Sequence, residues 1–161
     1  MFICSHTCSL PSPGPGGTDV GRESLSALEE ASLSFLSAID PARGLDAALF
    51  LRRTGTILAS WNRGGIRLEV VSVMAATMLA SIDTMMESLG AAAPKSVWVE
   101  SGDHQIAATN VGPQAFFVVI APKTVNRRVV RNTIRDLVAH LAPVSRTGRR
   151  RTKAPERAPR V

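Results

Sequence analysis

Two groups of side chains in this 161-residue chain are of types that carry chemistry. Cys4, His6 and Cys8 are soft metal ligands near the start, and Asp83 and Glu87 are two carboxylates one helical turn apart. A zinc site takes about four converging ligands, and no later cysteine supplies the fourth, so we expect no metal site. A paired-acid site shields one carboxyl in a cleft, whereas these two acids share the polar side of their segment. We therefore expect both to be exposed to solvent.

The other candidates for catalysis are scattered along the chain. His104 lies in a predicted strand and His140 near the end of a predicted helix, so no nucleophile, base and orienting acid are brought together. No G-x-x-x-x-G-K-[ST] loop indicates a nucleotide site. An enzyme or small-ligand sensor with its pocket under the long helix has no polar cluster to support it. We expect a protein that is not an enzyme, without cofactor or small-molecule substrate.

Positive charge is concentrated at the end of the chain. The formal net charge is +6, and the residues after Leu141 hold seven basic residues against one acidic residue. The other 12 basic and 12 acidic residues cancel, so attraction to anionic partners is expected of the tail. Both cysteines fall within the first eight residues, so the core is built without disulfides. With no secretion signal at the N-terminus, this predicts a cytoplasmic protein.

The elements that position these residues lie between two polar segments. Residues 1–21 combine prolines, glycines and small polar residues, and residues 142–161 are strongly basic, so we predict a disordered leader and a disordered tail. Residues 22–141 are expected to form one domain.

Apolar spacing divides that domain into eight elements. A helix over 22–39 precedes two strands joined at a glycine turn, and a long helix over 66–89 follows. Three strands and a helix that starts at Asn126 and ends at Leu141 complete the domain. The order α-β-β-α-β-β-β-α predicts an α+β fold, an α/β sandwich in which helices cover both faces of one five-stranded antiparallel sheet.

The long helix has more apolar surface than one core requires. At about 100° per residue, ten apolar residues form a broad arc that we expect to lie on the sheet. They are Leu68, Val71, Met74, Ala75, Met78, Leu79, Ile82, Met85, Met86 and Leu89. A second strip of small or β-branched residues, Val70, Val73, Thr77, Ala80, Ser81 and Thr84, suits the close approach of another helix. Spacing alone leaves two interpretations: a helix buried on two sides within its own domain, or a dimer contact.

A third side of the long helix is polar. Glu69, Ser72, Asp83 and Glu87 gather there, and the three acids form a stripe that a basic partner surface could use. The segment is long enough to span a bilayer, but these carboxylates argue against a membrane span. We predict an exposed acidic stripe on a surface helix.

Several segments of the domain resemble a known protein family. They are RGLDAALFLRRTGTILASW, the alanine- and methionine-rich helix ending ESLG, KSVWVESGDHQIAATNVGPQAFFVVIAP and NRRVVRNTIRDLVAHL. In this order they resemble the Roadblock family, which includes dynein light chains and prokaryotic partners of Ras-like GTPases, over residues 25–141. In the first turn, where the family often has acidic residues, this chain has Arg52, Arg53 and Thr54.

The resemblance implies a Roadblock/profilin-like fold and a homodimer, or a heterodimer with a paralogue. The long helix and the adjacent edge strand would join two copies into one continuous sheet. The resemblance also implies that the helix-bearing surface binds a Ras-like small GTPase and modulates its GTP cycle or localisation, with the acidic stripe of Glu69, Asp83 and Glu87 facing the GTPase. The helix-to-helix contact then falls on Val70, Val73, Thr77, Ala80 and Thr84.

The alternative is a structural adaptor. Here the same dimer is a scaffold, and the basic C-terminal tail tethers it to anionic membrane or, loosely, to nucleic acid. The two hypotheses share the dimer and differ in the partner.

Overall fold

The computed structural model describes residues 19–150, with the side chains described from residue 26 to residue 143. Cys4, His6 and Cys8, most of the predicted leader and the end of the predicted tail lie outside the described residues. Helix α1 spans Asp19–Ser37, so residues 19–21, which we assigned to the leader, are helical.

Five antiparallel strands form one sheet in the order β2-β1-β5-β4-β3. The strands are β1 (Ala47–Arg52), β2 (Ile57–Asn62), β3 (Ser96–Glu100), β4 (His104–Val111) and β5 (Ala115–Pro122). Strands β1 and β5 occupy the middle and are buried along almost their whole length, as expected from their unbroken apolar runs. Strands β2 and β3 form the two edges.

Three α-helices cover the two faces of the sheet. Helices α1 and α3 (Arg127–Arg150) pack on one face against residues such as Phe50 and Phe117. Helix α2 (Leu68–Ser88) packs on the other face against residues such as Leu49 and Phe116. Alternate residues of β1 and β5 therefore contribute to two separate cores, one on each face of the sheet. The predicted α+β sandwich and its element order are confirmed.

Helix α3 begins where the sequence predicts and ends later. The Asn126 side chain accepts a hydrogen bond from the backbone N–H of Arg128 at 2.8 Å, which caps the first turn. The prediction that the helix ends at Leu141 is wrong, since α3 continues to Arg150 and contains Pro143. Leu141 is 1% exposed and is the last buried residue among the side chains that the structure describes in this helix. The apolar spacing therefore marks the end of the contact with the core and misses the end of the helix.

Candidate protein interface on α2 and β3

Helix α2 contacts the sheet through a narrow set of small residues. Its buried residues are Ser72, Ala75, Ala76 and Leu79. Gly90, in the left-handed conformation at φ +68°, follows the end of the helix and lets the chain turn away. Because three of the four buried residues are small, the helix axis lies close to the sheet and the larger side chains lie on its outer flanks.

The turn between β1 and β2 fixes how α2 is rotated. A Cβ atom added to Gly55 (φ +87°) would lie 3.4 Å from Val73 Cα and from the Ala76 Cβ atom. The tip of the hairpin thus approaches the helix as closely as a side-chain atom permits. The positive φ favours glycine here, and an added Cβ atom would already be in van der Waals contact with the helix.

The outward face of α2 is apolar and uncovered within the described part of the chain. Val70 and Val73 are 53% and 58% exposed, and Thr77, Ala80 and Thr84 are also exposed, so the whole predicted contact strip lies at the surface. The described structure therefore does not bury this strip within its own domain. This leaves the dimer contact as the interpretation to be tested.

The predicted sheet-facing arc was partly wrong. Met74, Met85 and Leu89 are 63%, 57% and 73% exposed, whereas Ser72, which we placed on the polar side, is 2% exposed. The buried side is centred nearer to Ser72 and Leu79 than the methionine-rich arc predicted. Small residues take the position under the hairpin tip, and the methionines extend the exposed apolar face instead.

The hydroxyl groups on this face have hydrogen-bond partners within the helix. Each hydroxyl donates to the backbone carbonyl four residues earlier, at 2.8–3.0 Å. The residues that do so are Thr77, Ser81, Thr84 and Ser88. A hydroxyl bonded in this way can be covered by another protein without leaving an unpaired donor. The face therefore accepts an apolar partner despite its threonines and serines. The sequence signal for this was the run of hydroxyl residues at spacings of three and four.

The predicted acidic stripe is interrupted at its middle. Glu69 and Glu87 are exposed, but Asp83 forms a salt bridge with Arg53, which comes from the β1–β2 turn. Arg53 also donates to the Asn110 amide oxygen at 3.3 Å, so the turn, α2 and β4 are connected. The expectation that Asp83 is a free, exposed acid is wrong. Only Glu69 and Glu87 remain available to a partner, and Arg53 has a role that the sequence did not indicate.

Strand β3 presents an open backbone edge. The Asn110 N–H donates to the Lys95 carbonyl at 3.0 Å, and the Ser101 N–H donates to the His104 carbonyl at 2.9 Å. Bonded pairs alternate along an antiparallel ladder. By the register of β3 with β4, the residues that direct their backbone groups away from β4 are Ser96, Trp98 and Glu100. Within residues 19–150 no strand pairs with that edge.

Helix α2 and strand β3 border the same core cluster. Val97 of β3 packs against the cluster that also contains Leu79 and is contacted by Met78 of α2. The helix and the edge strand thus share one of the two cores of the domain.

The other candidate groups are placed elsewhere. His104 Nε2 lies 3.6 Å from Asp46 Oδ2, and His140 contacts the Phe35 ring at a centroid distance of 5.8 Å. No group of three or more potential metal ligands is found among the described residues. An open cleft of about 380 Å³ lies at the end of the sheet near the β1–β2 turn. It is lined by Arg52, Arg53, Thr54, Pro113 and Gln114, which include no carboxylate or histidine that could act as a base.

Helix α2 also meets the length and composition of a membrane span, with a mean hydropathy of 1.4. Its buried residues rest on the sheet, and Asp83 is paired with Arg53. These contacts describe a surface helix of a sandwich domain. The apolar character that satisfies the membrane criterion is the same exposed face described above.

Fold and surface together define a small α/β-sandwich domain whose most prominent exposed feature suits contact with another protein. A family model, described as the Roadblock/LC7 domain, matches residues 34–121, which is more than half of the chain. The chain belongs to the Roadblock/LC7 domain family. The matched region includes α2 and β3 and ends before α3.

Solved structures show the same fold at low sequence identity. MglB from Myxococcus xanthus matches with a TM-score of 0.64 and 14% identity, covering 77% of this chain and 91% of that chain. A structure titled "MglB with tetrameric arrangement" matches with a TM-score of 0.59 and 19% identity, covering 87% and 99%. The gliding protein MglB from Thermus thermophilus matches with a TM-score of 0.57 and 20% identity, covering 86% and 99%. Comparison with curated protein sequences found no match.

Proposed function

We propose that this chain is a non-enzymatic, dimeric regulator or scaffold that binds a Ras-like small GTPase and modulates its GTP cycle or localisation. The observation that carries the proposal is the uncharged, exposed outward face of α2, and the open edge of β3 is a second surface that a partner can cover. Membership of the Roadblock/LC7 domain family supports the choice of a small GTPase, because this family includes prokaryotic partners of Ras-like GTPases.

A second copy of the chain fits this surface for a geometric reason. A two-fold interface uses the same patch on both subunits, so the patch must be complementary to itself. Uncharged small and β-branched residues meet this requirement, since Val73, Thr77 and Ala80 placed against their own copies bring no like charges together. Their size also permits closely packed helices.

The edge of β3 is self-complementary as well. Two antiparallel copies of β3 can exchange backbone hydrogen bonds through the outward groups of Ser96, Trp98 and Glu100. Such pairing joins two sheets and removes an exposed edge. One of the structural neighbours has a title that describes a tetrameric arrangement of that protein. For this chain, we propose the α2–β3 dimer as the basic unit.

The GTPase is proposed to bind on the α2 side of this dimer. Glu69 and Glu87 remain exposed beside the helix contact and offer carboxylates to basic groups of the partner. Asp83 does not take part, because it is already paired with Arg53. The α2 surface of the pair is also where the two copies lie side by side, so one GTPase can contact both.

Calorimetric titration of the full chain with a purified Ras-like GTPase tests the proposal. The GTPase is loaded with GDP in one experiment and with a non-hydrolysable GTP analogue in the other. We expect binding that differs at least about tenfold in Kd between the two nucleotide states, equivalent to about 1.4 kcal/mol. Lack of binding in both states contradicts a regulatory role. As a control, Glu69→Gln with Glu87→Gln should weaken binding without changing the molar mass of the dimer.

A further inference from the structure

Helix α3 carries the entire net charge of the chain. It contains seven arginines and one acidic residue, Asp136, while the other 12 basic and 12 acidic residues cancel. No lysine is present in the helix. We assigned the positive charge to a tail, but the helix continues through Arg146, Arg149 and Arg150, so much of that charge belongs to the folded element.

The arginines of α3 share one side of the helix. At about 100° per residue, all seven positions fall within an arc of about 140°. The four whose side chains are described are exposed, namely Arg127, Arg128, Arg131 and Arg135. The neighbouring side is held against the sheet by Val130, Ile134, Leu137 and Leu141. Over residues 127–141 the helix therefore lies on the domain, and these four arginines form an outward basic ridge about 12 Å long at 1.5 Å per residue.

Few acidic groups neutralise this ridge. Arg127 lies 3.5 Å from Glu100, and Arg135 lies 3.8 Å from Asp136. Among the described side chains, Arg128 and Arg131 form no salt bridge. The guanidinium groups of Arg128 and Arg131 are thus available to an anionic partner.

Trp98 orders part of the ridge. The Arg127 guanidinium carbon lies 4.5 Å from the centroid of the Trp98 ring, and that of Arg131 lies 6.0 Å away. Stacking on an aromatic ring holds guanidinium groups in place, which reduces the conformational entropy lost when they bind. Val138, 41% exposed, lies within the same arc and adds an apolar contact.

From this geometry we infer that the basic ridge of α3 binds the headgroups of an anionic phospholipid bilayer. Guanidinium groups form paired hydrogen bonds with phosphate oxygens. The choice of a bilayer over nucleic acid rests on Val138, which is 41% exposed within the arginine arc. An apolar side chain beside basic ones can enter the headgroup region of a bilayer, whereas contacts to a phosphate backbone are polar.

The dimer proposed above strengthens this inference and is the only part of it that depends on the proposed function. The two-fold axis of an antiparallel β3 pair is perpendicular to the sheet, so both α3 helices lie on one face and both α2 helices on the other. The membrane then binds two ridges at once, and the α2 face stays free for a protein partner.

Co-sedimentation of the full chain with vesicles tests the inference. One set is pure phosphatidylcholine and the other contains about one third phosphatidylserine, at low salt. Each arginine near an anionic surface contributes about fivefold in affinity. Replacing Arg128→Gln and Arg131→Gln together should therefore weaken binding to the anionic vesicles about 25-fold. The matched control, Arg63→Gln with Arg67→Gln, removes the same charge from the α2 side and should change binding little.

The inference would be overturned if the chain showed no preference for anionic vesicles, or if both double variants lost vesicle binding equally. It would also be overturned by tighter binding to a DNA duplex at equal phosphate concentration, or by full loss of vesicle binding when only the four basic residues after Arg150 are neutralised. Circular dichroism melting of each variant establishes that it is folded. Failure of the proposed dimer is read separately by light scattering, because a monomer can still show the loss caused by Arg128→Gln and Arg131→Gln.

Discussion

Replacing Ala80 by arginine is the most direct test of the dimer surface. Ala80 is exposed on the outward face of α2, between Thr77 and Thr84. In one copy the new side chain extends into solvent, and arginine is a good helix former, so the fold should lose only a few tenths of a kcal/mol. In the dimer the same side chain meets the facing helix. The substitution therefore separates the stability of the domain from the stability of the pair.

The size of the effect follows from the surroundings of Ala80. No carboxylate is placed to compensate the new charge, because Asp83 is held by Arg53 and Glu87 lies two turns further along the helix. An uncompensated buried charge costs about 3–5 kcal/mol, and a symmetric dimer contains two. A total of roughly 6 kcal/mol raises the Kd of the dimer about 10⁴-fold.

Light scattering coupled to size-exclusion chromatography measures the outcome. We expect the unchanged chain to have the molar mass of a dimer and Ala80→Arg to have that of a monomer. Ala139→Arg is the matched control, since it places the same side chain at an exposed alanine on α3, on the other side of the sheet. A dimer that survives Ala80→Arg, or a monomeric parent chain, would refute the proposed contact.

The contacts around this surface give three more expected results. Ser96→Pro removes an outward N–H from the β3 edge and should weaken the dimer at least about tenfold by ultracentrifugation, whereas Ser96→Ala should not. Gly55→Val and Gly65→Val place a side chain at similar φ angles, +87° and +82°, but only Gly55 approaches α2. Gly55→Val should therefore lower the free energy of unfolding in urea by about 1–3 kcal/mol more than Gly65→Val. Equal losses would contradict the close contact. A double-mutant cycle of Arg53→Ala and Asp83→Ala should give a coupling energy of about 1 kcal/mol, and a value near zero would rule out a stabilising pair.

The fold was predictable because local signals agree with one another. The strands β1 and β5 have apolar residues at nearly every position, which indicates central strands covered on both sides. Glycine turns separate the strands, and Asn126 marks the start of α3. Each of these signals depends on residues close together in sequence.

The candidate interface was predictable only in part. The strip from Val70 to Thr84 could be found by spacing, because its residues share one side of a helix. The pairing of Asp83 with Arg53 could not be found, since it joins residues 30 positions apart across a turn. The alternation of Val97 and Val99 with Trp98 and Glu100 is typical of a half-covered or edge strand, and β3 does form an edge of the sheet.

The rotation of α2 about its own axis explains which of its residues were predicted on the wrong side, and it also determines which side is exposed to a partner. Spacing defines which residues of a helix share a side, but the neighbouring elements decide which side is buried. Here Gly55 places the hairpin tip against Val73 and Ala76, and Arg53 reaches across to Asp83. These contacts turn small residues toward the sheet and leave Met74 and Met85 outside. The β1–β2 turn thus determines which apolar face of α2 is offered to a second copy, so altering the turn should also alter the dimer.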